Sequence, residues 1–136
     1  EMDEMQILVP VTVKSKLTET LKNTLMNEID QNLSRVEHDL SSLEFEANGK
    51  IAEQAKLNMQ GVASLRAQFE QQKFQMTQVK EKLLADKEHL NKLTIGAEIV
   101  RPSMTRVVTL RVGDDMNQVL AGEILVEDGK VVAFRN

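Results

Sequence analysis

Residues 26–47 read MNEIDQNLSRVEHDLSSLEFEA, and their apolar side chains recur at alternating intervals of three and four residues. A stripe with this spacing follows one side of an α-helix and is the a/d pattern of a coiled coil. A second stripe runs through residues 62–93, one residue out of register with the first. One straight helix would have to absorb this slip, whereas two helices joined by a chain reversal would not. The first stripe consists of Met26, Ile29, Leu33, Val36, Leu40, Leu43 and Ala47, and the second of Val62, Leu65, Phe69, Gln72, Met76, Val79, Leu83, Asp86, Leu90 and Leu93.

The two stripes predict an antiparallel helical hairpin over residues 18–93, with Thr18 as the N-cap of its first helix. The reversal is expected near residues 47–61, where Asn48-Gly49 is the stronger helix-stop pattern and Gly61 the weaker one. Both residue types tolerate the left-handed conformation that ends a helix. The two arms are then nearly equal in length, so both ends return to the flanking segments. The alternative is one continuous helix in a parallel oligomer.

The segments on either side of the helices favour strands. Residues 6–14 alternate between apolar and polar side chains, and Pro10 suits an edge strand because it lacks an N–H. Residues 94–136 hold four of the six glycines and many Val, Ile and Thr residues. We therefore predict an α+β fold in which a long antiparallel hairpin, a coiled coil, is inserted between an N-terminal strand (residues 1–17) and a small C-terminal β-barrel-like or curled sheet.

The C-terminal sheet can be divided further. Extended runs are predicted at residues 97–101, ended by Pro102, and at 104–112. A short helical turn capped by Asp114 is expected at residues 116–120. Asp128-Gly129 is a preferred type I′ pair, which predicts a β-hairpin. In that hairpin Val126 faces Val131, Ile124 faces Ala133 and Glu127 faces Lys130.

Composition excludes several classes of protein. The 136 residues include no Cys, which rules out a disulfide scaffold, a thiolate zinc site and a cysteine nucleophile. No apolar run is long enough to span a bilayer, and we expect neither a membrane segment nor a secretory leader. The net charge of −4 disfavours a nonspecific polyanion binder.

Residue types that carry chemistry are few and scattered. His38 and His89 both lie in the helical arms, and neither has the i and i+4 partner of a metal site. The Asp114-Asp115 pair is expected in a turn, where aspartate usually caps the backbone rather than binding a cation. The glycines form no phosphate-binding loop. We therefore expect no enzyme activity, no metal and no cofactor.

Contact with a partner is the remaining function class. Phe45 and Phe74 fall at f positions outside the stripe, and Leu57 and Met59 are apolar residues off the stripe near the reversal. Exposed apolar side chains of this kind favour self-association through the helical arms, or a protein partner of unknown identity. The guanidinium group of arginine binds phosphate through paired hydrogen bonds, which makes contact with RNA an alternative. It is less favoured than contact with a protein. The four arginines of the C-terminal section are Arg101, Arg106, Arg111 and Arg135.

Several short motifs are spread over nearly the whole chain: ILVPVTVKSKL at residues 7–17, a helical insert with a Gly-Lys tip, IGAE at residues 95–98, and the terminal VGDD and Asp-Gly hairpin. In this arrangement the chain resembles the YlqD family of small bacterial proteins of uncharacterised function. Met5 resembles the family's start, so residues 1–4 would precede it. The resemblance implies a bacterial cytoplasmic protein with no known catalytic residues. The leading hypothesis is a non-enzymatic interaction protein, and the alternative is an RNA- or ribosome-associated accessory factor that uses the arginines.

Overall fold

A computed structural model describes residues 2–136 and confirms the α+β class. The chain divides into two units: a helical unit, Thr24–Lys92, and a β unit made of the residues up to Asn23 together with Leu93–Asn136. In chain order the elements are β1 (Glu4–Lys16), α1 (Glu19–Leu57), a 3-10 turn (Met59–Gly61), α2 (Val62–Lys92), β2 (Glu98–Arg111), α3 (Met116–Leu120), β3 (Glu123–Glu127) and β4 (Lys130–Arg135).

The predicted apolar stripes form the interior of the helical unit. All seven stripe residues of α1 are buried or half-buried, and Leu33 and Leu43 are the most enclosed large ones. Val62 and Leu90 are buried near the two ends of α2. Two positions of the second stripe were wrongly predicted as interior, because Gln72 and Val79 are exposed.

The chain reverses at Asn58–Gly61, and the predicted stop at Asn48-Gly49 is wrong, because α1 continues through it to Leu57. An interior glycine costs a helix about 1 kcal/mol. Here the apolar stripe continues past Gly49 with half-buried Ile51, and this packing outweighs the local preference. The turn itself is held by Asn58, whose side chain accepts a hydrogen bond from the Gln60 N–H at 2.9 Å.

The side chain of Gln54 closely approaches Gly61 at this turn. The Gln54 side-chain amide donates to the Asn58 carbonyl at 2.9 Å. A Cβ at position 61 would lie 2.5 Å from that amide nitrogen, well inside contact distance. The weaker of the two stop patterns in the sequence therefore marks the true reversal.

The β unit is built on an open four-stranded mixed sheet with the order β2-β1-β3-β4, so the barrel-like form does not occur. β1 pairs antiparallel with β2 and parallel with β3, and β3 pairs antiparallel with β4. The best-buried side chains of this unit are Val9, Val11, Leu17 and Leu125.

Pro102 does not end a strand as predicted, because β2 runs through it as one strand of 14 residues. The pairing of β1 with β2 shifts register between Val11 and Val13, and this bulge accommodates Pro102 and Ser103 on the β2 side. The proline is tolerated because β2 is an edge strand and the ladder is interrupted there.

Pro10 lies in β1, which is an inner strand rather than the predicted edge strand. β3, however, pairs only with residues 12–15 of β1. The Thr12 N–H donates to the Gly122 carbonyl at 3.4 Å, on the β3 side, and strand alternation directs the nitrogen of Pro10 to that same side. No strand of the described chain pairs with β1 there, so the missing N–H costs no sheet hydrogen bond.

The caps and turns of the β unit follow most of the predictions. The Thr18 hydroxyl accepts from the Leu21 N–H at 3.1 Å, which confirms it as an N-cap. Asp128 and Gly129 have φ of 47° and 80°, in agreement with the predicted type I′ turn. Beyond Val126–Val131 a register shift pairs Ile124 with Phe134 rather than with Ala133, which corrects the predicted register.

The cap of α3 was assigned to the wrong aspartate. Asp115, not Asp114, accepts from the Asn117 N–H at 2.9 Å. Asp114 instead accepts from the Arg111 N–H at 2.7 Å. The two carboxylates of this pair therefore cap different backbone groups.

Candidate interaction surfaces

One flank of the hairpin carries a ladder of ion pairs between α1 and α2. The members on each helix are seven residues apart and occupy the heptad position that follows the d position of each stripe. In an antiparallel pair of helices these positions face one another along one flank, so the ladder matches the antiparallel arrangement. The pairs are Asp30–Lys87 at 2.7 Å, Glu37–Lys80 at 3.5 Å and Glu44–Lys73 at 3.2 Å.

The sequence contained this pattern, although the prediction did not use it. Acidic residues recur every seven positions in one arm and lysines recur every seven in the other. That pairing favours the hairpin over a parallel oligomer of continuous helices, because it matches the two arms in opposite directions.

The ladder ends near the reversal, where its next step would bring together Ile51 and Arg66. A groove of about 300 Å³ lies there, and Ala47 and Phe69 contribute to its apolar lining. No acidic partner lies within ion-pair distance of Arg66 in the described chain. The Glu44–Lys73 pair of the ladder also contributes to the lining of this groove.

The four predicted partner-contact residues are all exposed. Phe45 and Phe74 are 84% and 59% exposed, and Leu57 and Met59 on either side of Asn58 are 83% and 67% exposed. Phe45 and Phe74 each follow a member of the Glu44–Lys73 pair, so they lie at the same level of the hairpin. Their f positions place them on the outer sides of the two helices rather than in one patch. Contact with a partner through these residues stays a prediction.

The four candidate RNA-binding arginines lie on two opposite faces of the sheet. Cross-strand partners share a face, and Arg106 and Arg101 pair with Val9 and Val13 on one of them. Arg111 pairs with Glu4, an even-numbered β1 position that points to the other face. Arg135 pairs with Glu123, whose own β1 partner is Thr12 on that second face. The strands therefore do not bring the four arginines onto one face of the sheet.

Three of these arginines already have partners within the chain. The Arg106 guanidinium donates to the carbonyls of Val119 and Ala121 at 2.8 Å each, and so holds the segment between α3 and β3. Arg111 pairs with Glu4 at 3.3 Å. Arg135 bonds to two carboxylates.

The Arg135 side chain forms the centre of a charge cluster that joins all four strands. It contacts Glu98 of β2 and Glu123 of β3, and Glu123 also bonds to Lys14 of β1 at 2.7 Å. The hydrogen bond from Arg135 lowers the pKa of Glu98. The hydrogen bond from Lys14, then that from Arg135, lowers the pKa of Glu123. The two carboxylates raise the pKa of Arg135 in return, Glu98 more strongly.

This cluster fastens strands together and is not arranged as an acid–base pair. Each carboxylate is held in its charged form by cations, whereas a general acid would need a raised pKa. Among residues 2–136 no group of three His, Asp or Glu side chains is placed to hold a metal ion. His38 and His89 are exposed on the helices. None of the helices that the structure describes has the length and hydropathy to cross a membrane.

The β unit exposes a long two-stranded ribbon. Because β3 begins to pair only at Thr12, residues 4–11 of β1 and 104–111 of β2 have no third strand beside them in the part of the chain that the structure describes. Apolar side chains of this ribbon point to solvent on both faces. Leu8 is 72% exposed, Val107 65%, Met104 59% and Met5 54%. The alternation of the strands was visible in the sequence, but the absence of a covering layer was not.

The comparison with known proteins agrees with this architecture. The family model described as YlqD protein matches residues 5–135. The chain belongs to the YlqD family. A curated relative, the uncharacterised protein YlqD of Bacillus subtilis (strain 168), is 27% identical over 139 residues, which covers 96% of this chain and 98% of the relative. This confirms the predicted family.

A crystal structure shows the same fold in a distant protein. The protein, of unknown function and from Synechococcus sp. WH 8102, matches this YlqD-family chain with a TM-score of 0.84 at 19% identity. The match covers 98% of this chain and 95% of the other. At this identity the likeness shows the fold alone.

Proposed function

We propose that this YlqD-family protein is a non-enzymatic interaction protein that uses its helical hairpin as the contact surface. The observation that carries the proposal is the exposure of Phe45 and Phe74 at the same level of the hairpin. Moving a phenylalanine side chain from water into an interface is favourable by about 1.5–3 kcal/mol of transfer free energy. Leu57 and Met59 are two further exposed apolar residues, located at the turn.

Self-association through the arms is the form of this proposal that the chain supports best. The apolar stripes are already packed within the hairpin, so a second hairpin must use another face. The f column on each helix offers that face, with Phe45 on α1 and Phe74 on α2. The two phenylalanines point to opposite sides, so each can contact a different neighbour.

Light scattering of the full chain across a concentration series tests the proposal. The double variant Phe45→Ser/Phe74→Ser is expected to lower the apparent mass, because each serine removes the apolar contact without disturbing the packed stripe. A matched control is Ala52→Ser/Ala67→Ser, one heptad away in the same exposed columns. If wild type and both variants share one mass at every concentration, the arms do not mediate self-association.

The RNA-associated alternative has less support, because the arginines are divided between two faces and three are engaged within the chain. An electrophoretic shift assay over a salt series discriminates the two. Phosphate contact predicts a steep loss of binding with added salt, and Arg101→Ala would weaken it further.

A further inference from the structure

We propose that the outer edge of β2 is a dimerisation surface, at which β2 of a second copy pairs antiparallel around a two-fold axis at Val107. This goes beyond the proposed function of the helical arms, since it uses the β unit and different residues. The occupant is a second copy of this chain.

The hydrogen-bonding direction of β2 is fixed by contacts at its end. The Val112 N–H donates to the Asp3 carbonyl at 3.1 Å, towards β1. Because neighbouring residues of a strand point their backbone groups in opposite directions, Arg111 points outward. The Asp114 carboxylate caps the outward Arg111 N–H at 2.7 Å, and the Asp114 N–H bonds to the Arg111 carbonyl at 3.0 Å.

The same alternation leaves a short, defined stretch of open edge. Thr105, Val107 and Thr109 direct their backbone groups away from β1, and no strand among residues 2–136 pairs with β2 on that side. Asp114 closes one end of this stretch, and the bulge at Pro102 closes the other. An unpaired edge of β-branched residues is a template for another strand. The closed ends limit that pairing to a few residues.

One register makes this edge self-complementary. With Val107 opposite its own copy, Thr105 faces Thr109 of the second copy and Thr109 faces Thr105. Arg106 then faces Val108 of the second copy, so no arginine lies directly opposite another, which would be unfavourable. An isologous contact of this kind has the symmetry of the commonest homodimers.

The apolar face of the ribbon gives the pairing its driving force. Leu8 lies directly opposite Val107 within one chain, and they are 72% and 65% exposed. Across the two-fold axis the order becomes Leu8, Val107, Val107, Leu8, a continuous apolar row on one face of an eight-stranded sheet. This row contains four large apolar side chains, and pairing removes part of their surface from water. The interface is therefore at the small end of specific contacts, and we expect a concentration-dependent dimer.

A cysteine cross-link reads the register directly, because the chain has no cysteine. At the two-fold axis, paired Cα atoms lie about 5.5 Å apart, within reach of a disulfide. Mild oxidation of Val107→Cys is expected to give a covalent dimer of twice the 15.3 kDa chain mass. The matched control is Val112→Cys, which is 85% exposed but five residues from the axis, and should not cross-link. Equal yields from the two variants would overturn the proposed register.

A second variant tests the dimer without cysteine chemistry. Val107→Lys places like charges opposite each other at the axis, and should weaken dimerisation at least about tenfold in sedimentation velocity. A wild type that stays monomeric, or a Val107→Lys variant that dimerises as wild type does, would overturn the proposal. The Phe45→Ser/Phe74→Ser variant separates this surface from the arms. It should retain the Val107→Cys cross-link whether or not the arms associate.

Discussion

The helical unit and the β unit handle their apolar side chains in opposite ways. In the helical unit the apolar residues of two helices face each other, and a ladder of ion pairs closes one flank. In the β unit one sheet carries apolar residues on both faces, with only Val9, Val11, Leu17 and Leu125 buried among its large ones. Two helices can satisfy each other, whereas one twisted layer needs a second layer to cover it.

This difference assigns different roles to exposed apolar groups. In the helical unit they are isolated, such as Phe45 and Phe74, and single exposed apolar side chains are common on proteins. In the β unit they are neighbours, as Leu8 and Val107 are across a strand pair. Contiguous exposure is the better indicator of an interface. The β unit therefore carries the more continuous exposed apolar surface of the two units.

The largest expected effect distinguishes leucines of the two units. Leu43→Ala removes a side chain that is 7% exposed in the helical unit, and should lower the free energy of unfolding by about 2–4 kcal/mol. Leu8→Ala removes one that is 72% exposed in the β unit, and should change the free energy of unfolding of the monomer by less than about 0.5 kcal/mol. Urea unfolding at low protein concentration measures both. Similar losses for the two variants would show that Leu8 is covered within one chain.

The two glycines of the helical unit should respond to alanine in opposite directions. Gly49→Ala introduces a Cβ with no atom within 4 Å, in a helix interior, and should stabilise by about 0.5–1 kcal/mol. Gly61→Ala pushes a Cβ against the Gln54 amide, and should destabilise by about 1 kcal/mol through loss of the hydrogen bond to Asn58. Thermal unfolding followed by circular dichroism compares them. Stabilisation by both substitutions would mean that the Gln54 contact contributes nothing to the turn.

In the β unit a smaller effect is expected from pH. The pKa values of Glu98 and Glu123 are lowered in the folded chain, so the folded state binds fewer protons than the unfolded state in acid. Their stabilisation is present above the unfolded carboxyl pKa of about 4.3, and is lost as the pH falls through the lower folded values. Amide exchange of β3 and β4, measured by NMR between neutral and acid pH, should show this loosening.

The control for the pH effect is Glu123→Gln. Glutamine has nearly the same shape as glutamate, but it is uncharged at every pH and does not titrate. Its strands should exchange faster than those of wild type at neutral pH and change less on acidification. An unchanged pH profile in this variant would show that the cluster does not set the acid response.

The sequence was sufficient to predict that the two helices pack together, because residues of the apolar stripes, such as Leu33 and Val62, are buried against the other helix. It failed at Asn48-Gly49, where local turn preference is worth about 1 kcal/mol and the packing of the continuing stripe outweighs it. It failed again at Pro102, because the tolerance of a proline depends on whether the strand is at an edge. Strand order is a tertiary property that local composition does not contain.

The candidate surfaces were predicted less completely than the fold. Phe45 and Phe74 could be named from their heptad positions, since an f position is exposed in any two-helix packing. The open edge at Val107 could not, because it depends on β2 being the outermost strand of the sheet. The dispersal of the arginines likewise depends on strand pairing, since Arg111 and Arg135 reach one face through different partners.

The smallest expected effect concerns the ladder of the helical unit. Reversing one charge with Glu37→Lys or Lys80→Glu should cost about 0.2–1 kcal/mol, and the double swap should recover most of it, because the two charges meet only in an antiparallel hairpin. Added salt should shrink the coupling energy. The control is the Lys82–Asp86 pair, which lies within α2 and makes no demand on helix direction. If the Glu37–Lys80 coupling is absent while that of the control pair persists, the ladder does not define the hairpin in solution, and the apolar stripes alone must set its direction.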